Sequence, residues 1–235
     1  MAKLNFKSLI IFEDDDYIVI NKPPQIASLE DRSSPINIQK LAKEYHEGTI
    51  LCHRLDKETS GCLLIAKSEE AYRAASIAFE NRKVTKTYHA VVEGLQEWRG
   101  KVVDEPLQIM SNGKVSISFK GKSSKTTFHS LKLFKKHTLI ECLPETGRMH
   151  QIRVHLSKEG APIVNDEMYG GKPFYLSEIK KNYKIRKYEE ERPLIGRFAL
   201  HAFGLKLNGL NGIIEASAEY PKDLKVLLKQ LEANL

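Results

Sequence analysis

An aspartate on a tight polar turn between two apolar runs is the first place where this chain could do chemistry. Asp56 opens the turn Asp56-Lys-Glu-Thr-Ser-Gly61, flanked by the strand-like run Thr49 to Leu55 and the apolar run Cys62 to Ala66; Arg54 stands two residues upstream. A loop held at both ends by rigid strands fixes its side chains in space, as a reacting carboxylate requires. The same aspartate could instead cap its own backbone, with Arg54 a surface charge, and position alone leaves both readings open. A second concentration is Thr146-Gly-Arg-Met-His-Gln-Ile-Arg-Val-His155, crowded with hydrogen-bond donors. Arg148 and Arg153 lie five apart, so on a helix they diverge: one can meet an internal carboxylate while the other meets phosphate. His150 and His155 are also five apart, which misses the four-residue spacing of a helical two-His metal site, so both read as packing residues. Tyr88 shares a strand face with Ala90 and Val92 and reads, by itself, as a core aromatic whose hydroxyl needs a partner.

Other chemistries find no residues to carry them. There is no glycine-rich phosphate loop, no dinucleotide fingerprint and no serine-centred nucleophile elbow, which removes support for kinase, dehydrogenase and hydrolase readings. The expectation is a reaction without cofactor or metal.

The elements that must position these residues alternate. A hairpin is expected from Leu9-Ile-Ile-Phe12 through Asp14-Asp-Asp16 to Tyr17-Ile-Val-Ile-Asn-Lys22, stopped by Pro23-Pro24 because proline donates nothing to a ladder. A helix is expected from Ser34-Pro35, with Ile38, Leu41, Ala42 and Tyr45 on one face, and another from a Ser68 cap with Glu69 and Glu70 in its first turn. The middle reads as antiparallel strands at Lys86 to Val92 and near residues 115–119, 126–134 and 138–143. A short helix over Met149 to Leu156 closes near Gly160. The charged stretch Ser177 to Arg197 reads as a helical excursion, followed by strands Phe198–Leu207 and Ile213–Ala218 and an amphipathic helix from Pro221 to Leu235. The fold class is therefore α+β, a mixed and mainly antiparallel central sheet with flanking helices, in one domain over residues 1–235.

Composition narrows the partner. The 235 residues are 41% hydrophobic and 29% charged, with 37 Lys and Arg against 30 Asp and Glu, a net +7 that suits a polyanion. Seven lysines and no acid lie between Lys114 and Lys136, interleaved with Phe119, Phe128, His129 and Phe134. Lys122, Lys125 and Lys132 in that run are candidate phosphate contacts; a solvated strand face is the other reading. No apolar run approaches the ~18 residues of a membrane span, no secretory signal is visible, and Cys52, Cys62 and Cys142 lack metal or redox spacing. A cytoplasmic protein with idle thiols is expected.

Residues 53–61, His-Arg-Leu-Asp-Lys-Glu-Thr-Ser-Gly, resemble the active-site signature of the RluA-type pseudouridine synthases. Four further motifs join it in order: Asp15-Asp-Tyr-Ile-Val-Ile-Asn-Lys-Pro23; Lys86-Thr-Tyr-His-Ala-Val-Val-Glu-Gly94; Gly147-Arg-Met-His-Gln-Ile-Arg-Val-His155 with Pro162-Ile-Val-Asn-Asp166 and Tyr169-Gly170; and Ala199-Leu-His-Ala202. The resemblance implies cleavage of a uridine's glycosidic bond in tRNA or rRNA and reattachment through C5, with no cofactor. It implies Asp56 as nucleophile or base at the ribose, with Arg153 paired to it and holding it ionised, since a nearby cation favours the charged form. Tyr88 would stack on the target base, Arg54 would fill the gap the flipped base leaves, and Leu200 would line the pocket. His53 and His201 keep a structural reading. Many relatives carry an N-terminal S4-type RNA-binding domain; none is expected here, so the catalytic domain, expected to be a monomer, must hold RNA itself. Two other readings compete. An RNA-binding protein without turnover has no need of Asp56, Tyr88 and Arg153 together, and a nucleoside hydrolase would need a second carboxylate that no motif supplies.

Overall fold

The computed structural model describes residues 4–30, 36–180, 183 and 190–235. In chain order these form β1 (Ile10–Glu13), β2 (Tyr17–Lys22), α1 (Ile38–Tyr45), β3 (Ile50–Leu51), β4 (Ser60–Ala66), α2 (Glu69–Glu80) and β5 (Thr85–Glu93). Then come β6 (Arg99–Asp104), β7 (Leu107–Ile109), β8 (Val115–Ile117), β9 (Lys125–Leu133), β10 (His137–Pro144), α3 (Gln151–Lys158), β11 (Leu200–Asn208), β12 (Ile213–Ser217) and α4 (Lys222–Glu232). The strand pairings are mainly antiparallel, as expected of an α+β chain. The chain divides into two compact units, one of residues 1–88 and 201–220, the other of residues 89–200 and 221–235.

The first unit is built on β4, whose seven residues are all buried. Strand alternation sends its side chains to two opposite cores. In register with β2, Cys62, Leu64 and Ala66 join Tyr17 and Val19 on one face, where Ala71 and Ala75 of α2 pack. Leu63 and Ile65 join Ile18 and Ile20 on the other, against Ile38, Leu41 and Ala42 of α1. Each fully buried aliphatic side chain contributes roughly 1.5–3 kcal/mol, so both ends of this strand are firmly fixed. At its start β4 runs parallel to β11, pairing Ser60 with His201 and Gly61 with Ala202. Gly61 sits at φ +112°, and a Cβ there would lie 2.1 Å from the Ala202 carbonyl oxygen.

In the second unit β5, β10, β9 and β6 lie in that order, with α3 packed on β9 and β10. β10 alternates as the sequence demands, burying Thr138, Ile140, Cys142 and Pro144. α4 buries the single stripe Leu224, Leu227, Leu228 and Leu231. β7 and β8 form a separate two-stranded hairpin that packs on α3 through Leu107, Val115, Val154 and Tyr169.

Several sequence expectations shift. The helix start at Ser34-Pro35 lies outside the described residues; α1 begins at Ile38, where Asn37 accepts the Lys40 N–H at 2.9 Å and acts as the cap. The strand expected over 49–55 shortens to β3: the Cys52 N–H still donates to the Leu64 carbonyl at 3.0 Å, and from His53 the chain turns away into the loop that carries Asp56. β6 and β7 have no counterpart in the sequence reading: Arg99 to Asp104 is mostly exposed and charged, and only pairing with β9 makes it a strand. Of the excursion expected over 177–197, residues 181, 182 and 184–189 lie outside the described set. The described part holds only a 3₁₀ turn at Leu176–Glu178 and irregular chain from 190 to 199.

Gly61→Ala should destabilise the protein by about 3 kcal/mol or more, since the added carbon meets backbone that cannot move aside. Urea unfolding measures this, and an unchanged midpoint would contradict the close approach.

Candidate active site

The first unit positions Asp56, Arg54 and Tyr88. Leu55, 5% exposed, is the anchor of the loop, and it belongs to the same core cluster against which Tyr88 packs. The Ser28 hydroxyl donates to the Leu55 carbonyl at 2.9 Å and accepts the Leu55 N–H at 3.0 Å, so the residue before Asp56 is held from both sides. Just after it, the Thr59 N–H donates to the Asp56 carbonyl at 3.0 Å and closes the turn. Lys22 is fully buried, and its ammonium donates to the carbonyls of Pro23, Ile26 and Lys57 at 2.9–3.1 Å. A cation taken from water is tolerated only where such acceptors replace hydration, and here they staple the loop beside Asp56. Asp56 and Tyr88 are half-buried, while Arg54 is exposed.

Two histidines hold this scaffold through hydrogen bonds. His53 accepts the Leu64 N–H of β4 at 3.0 Å through Nε2, and burial drives its pKa down from 6.5 to about 3. His201, fully buried, donates from Nε2 to the Ala218 carbonyl at 3.0 Å, which leaves Nδ1 to accept the Ser60 hydroxyl at 2.9 Å. Both serve the scaffold, in keeping with the sequence reading.

The second unit positions Arg153 and Leu200. Arg153 projects from α3 at 5% exposure, and Nε and Nη2 donate to the two oxygens of Asp166, each at 2.7 Å. Its guanidinium lies between two rings, 4.2 Å from the centroid of Phe198 and 4.9 Å from that of Tyr169. The Tyr169 hydroxyl is held in turn by His150 Nδ1 at 2.8 Å and by the Val115 N–H at 3.0 Å. α3 begins from Gln151, whose amide donates to the Lys125 carbonyl and the Thr126 hydroxyl and whose oxygen accepts from Thr146 and the Arg148 N–H. His155, fully buried, bonds Thr126, Ser124 and the Glu105 carbonyl, and burial lowers its pKa. The divergence of the two arginines holds: Arg148 reaches the surface, donating to the Ser123 carbonyl at 3.2 Å, while Arg153 meets an internal carboxylate. Asp166 has no role of its own in the sequence reading. Its signal there is a carboxylate two residues beyond the apolar segment Pro162-Ile-Val, which burial with a cation explains.

Leu200 is buried at 4% exposure. Arg197, 2% exposed, donates to the carbonyls of Phe198 and Leu200 and forks onto Asp223 of α4 at 2.7 and 3.1 Å. Of the three lysines, Lys122 is exposed, Lys125 pairs with Glu145 at 2.8 Å, and Lys132 pairs with Glu232 at 2.7 Å. Strict alternation would place Lys132 on the inward face with Thr126 and Phe128. A bulge at Leu131 changes the parity and keeps it outside, on the face of Lys125 and His129. That face also carries Glu141 and Glu145, so it is less uniformly basic than the lysine run suggests. Among the described residues no three His, Cys, Asp or Glu side chains gather as a metal site, and no helix is long and apolar enough to cross a membrane.

A family model described as RNA pseudouridylate synthase matches residues 16–158, which takes in the Asp56 loop, Tyr88 and Arg153. The human RNA pseudouridylate synthase domain containing 4 protein superposes with a TM-score of 0.74 at 25% identity, over 97% of this chain and 95% of that one. The chain belongs to the RNA pseudouridylate synthase family and is an isomerase acting on RNA. Within it, the chain is similar to ribosomal large subunit pseudouridine synthase D of Haemophilus ducreyi, 31% identical over 96% of this chain and 71% of the relative. It is also similar to ribosomal large subunit pseudouridine synthase C of Vibrio vulnificus, 38% identical over 74% of this chain; the match spans 58% of that relative's length.

Asp166→Ala should cost about 3–5 kcal/mol, the usual penalty for removing one partner of a buried ion pair. Replacing both partners, Arg153→Met with Asp166→Leu, should recover part of that loss in urea unfolding; strictly additive losses would contradict the pairing. His53 gives a second test. Its folded pKa lies below its unfolded one, so the unfolded chain binds the extra proton, and stability is complete above about pH 6.5 and drains away toward pH 3. His53→Gln keeps an acceptor for Leu64 without a titrating ring and should flatten the fall in unfolding midpoint between about pH 7 and 4. Equal slopes in parent and variant would speak against it.

Proposed function

We propose that this chain is a single catalytic domain that isomerises uridine in ribosomal RNA, with Asp56 as nucleophile or base at the ribose. The observation that carries the reading is the Asp56 loop itself. A half-buried carboxylate sits on a turn braced by Ser28 on one side and the Lys22 ammonium on the other, flanked by an exposed arginine. Such bracing suits a group that must keep its place while the substrate's ring changes hands. The choice of rRNA over tRNA follows the names of the ribosomal large subunit relatives.

The remaining roles follow from chemistry and motif position. Arg153 serves as the cation favouring ionised Asp56. Tyr88, half-buried at the edge of its core cluster, stacks on the target base. Arg54, exposed on a fixed loop, inserts where the uridine leaves; flipping costs a few kcal/mol, and a planar guanidinium stacked in the gap offsets part of that. Leu200 lines the pocket, and Lys122, Lys125 and Lys132 contact phosphates. The carboxylate pairs of Lys125 and Lys132 are exposed and weakly bound, so a polyanion can displace them. The isomerisation is atom-neutral, so the reading assigns it no cofactor. The enzyme acts as a monomer in the cytoplasm.

Tritium release from 5-tritiated-uridine transcripts tests this. The parent should release tritium from ribosomal RNA transcripts, and Asp56→Asn should bind the same RNA with release reduced at least about 10³-fold, as expected when a reacting group is removed. Full activity in Asp56→Asn would displace Asp56 from its role, and release from tRNA alone would overturn the substrate.

A further inference from the structure

The second unit displays an aromatic ring where folding has no use for one. Phe119 is 89% exposed, while the next phenylalanines along the chain, Phe128 and Phe134, are buried at 0% and 3%. A large apolar ring left in water gives up the burial that would otherwise stabilise the fold. Its backbone is nevertheless well fixed. The Gly121 N–H donates to the Ser118 carbonyl at 2.7 Å, making Phe119 and Lys120 the two corner residues of a tight turn. Ser118 N–H donates to the Pro106 carbonyl at 2.9 Å, and Lys122 exchanges both backbone hydrogen bonds with Leu107 at 2.8 and 2.9 Å. Gly121 is obligatory here, since a Cβ would lie 2.5 Å from the Leu107 backbone. The ring is held out on a pinned turn.

Its surroundings are cationic. No Asp or Glu stands between Glu105 and Glu141 in sequence, and Lys114, Lys120 and Lys122 crowd the hairpin and its turn. Lys120 Nζ lies 5.9 Å from the Phe119 centroid, and Lys114 Nζ lies 5.4 Å from that of Tyr169. The hairpin is coupled to the arginine site of the same unit, because Tyr169 bonds Val115 of β8 and covers Arg153. Aromatic rings interleaved with ammonium groups match unpaired nucleic acid, which offers a π-face and a phosphate at each step.

We propose that the Ser118–Gly121 turn is an RNA platform on which an unpaired base of the substrate stacks against Phe119 while Lys120 and Lys122 hold adjacent phosphates. The inference rests on the family's action on RNA and adds to it a binding surface outside the Asp56, Tyr88 and Arg153 set. Pinning the turn in advance lowers the ordering cost of binding.

The test compares a short unstructured oligouridylate with a fully paired RNA duplex of the same length, by fluorescence anisotropy. Phe119→Ala should weaken oligouridylate binding roughly 5- to 10-fold with an unchanged salt slope, and Phe119→Trp should restore it. Duplex binding should stay as in the parent. Lys120→Gln with Lys122→Gln should instead flatten the slope of log K against log salt, by about 0.7 for each single-strand phosphate the lysines no longer neutralise. Unchanged oligouridylate affinity in Phe119→Ala would overturn the platform, as would equal weakening on oligouridylate and duplex. A parent that dimerises through this turn, with Phe119→Ala monomeric by sedimentation, would reassign the ring to protein association. Tritium release by the parent, run alongside, separates the two levels. Release with an unaffected Phe119→Ala complex sinks the platform alone, whereas absent release sinks the isomerase reading and leaves the binding comparison standing.

Discussion

A guanidinium at 5% exposure sets the terms for the second unit. An ionised group leaves water only where other atoms replace its hydration, and Arg153 finds them in the Asp166 carboxylate and two aromatic faces. Each of those partners is then held by something further. Tyr169 is fixed by His150 and by the backbone of β8, which ties the β7–β8 hairpin to the site. Phe198 is fixed by Arg197, itself nearly inaccessible and forked onto Asp223, which brings α4 into the same network. Two buried arginines, Arg153 on Asp166 and Arg197 on Asp223, thus tie the loops of this unit to its helices.

The first unit solves a similar problem with a lysine. Lys22 ends β2 inside the protein, and three carbonyl oxygens around its ammonium replace water. One belongs to Lys57, so the desolvated charge is tied to the turn that carries Asp56. In the same unit His53 and His201 brace the scaffold by hydrogen bonding, to Leu64 and to Ser60 and Ala218. The arrangement places rigidity under the Asp56 turn and leaves Arg54 exposed.

This division suits an isomerase of RNA. The catalytic step exchanges one bond for another within a single nucleotide, so the protein contributes position and charge more than reagents. Affinity for a long polyanion is a separate matter of surface charge, and the ion pairs of Lys125 and Lys132 are exposed and exchangeable.

Much of this was legible in the sequence, because its causes are local. Apolar runs marked β2, β4 and β10, the Ser68 cap with two glutamates marked α2, and the crowded motif around Asp56 pointed to the family and the reaction. What stayed hidden depended on partners far along the chain. Arg99 to Asp104 has no strand pattern and is a strand only because β9 offers it a ladder. Lys132 sits outside only because a bulge at Leu131 reverses the count. The start of α1 was set by Asn37, which no propensity ranks far above Ser34. Asp166 stood in a family motif without a role of its own, and the sequence does not name Arg153, 13 residues away, as the partner it is buried with. The sequence by itself determined which groups could react and which elements carry them, since residue type and periodicity are local properties. Only the tertiary structure decided which charges are buried together, because desolvation is a property of the surroundings, and those are assembled from residues that the chain keeps far apart.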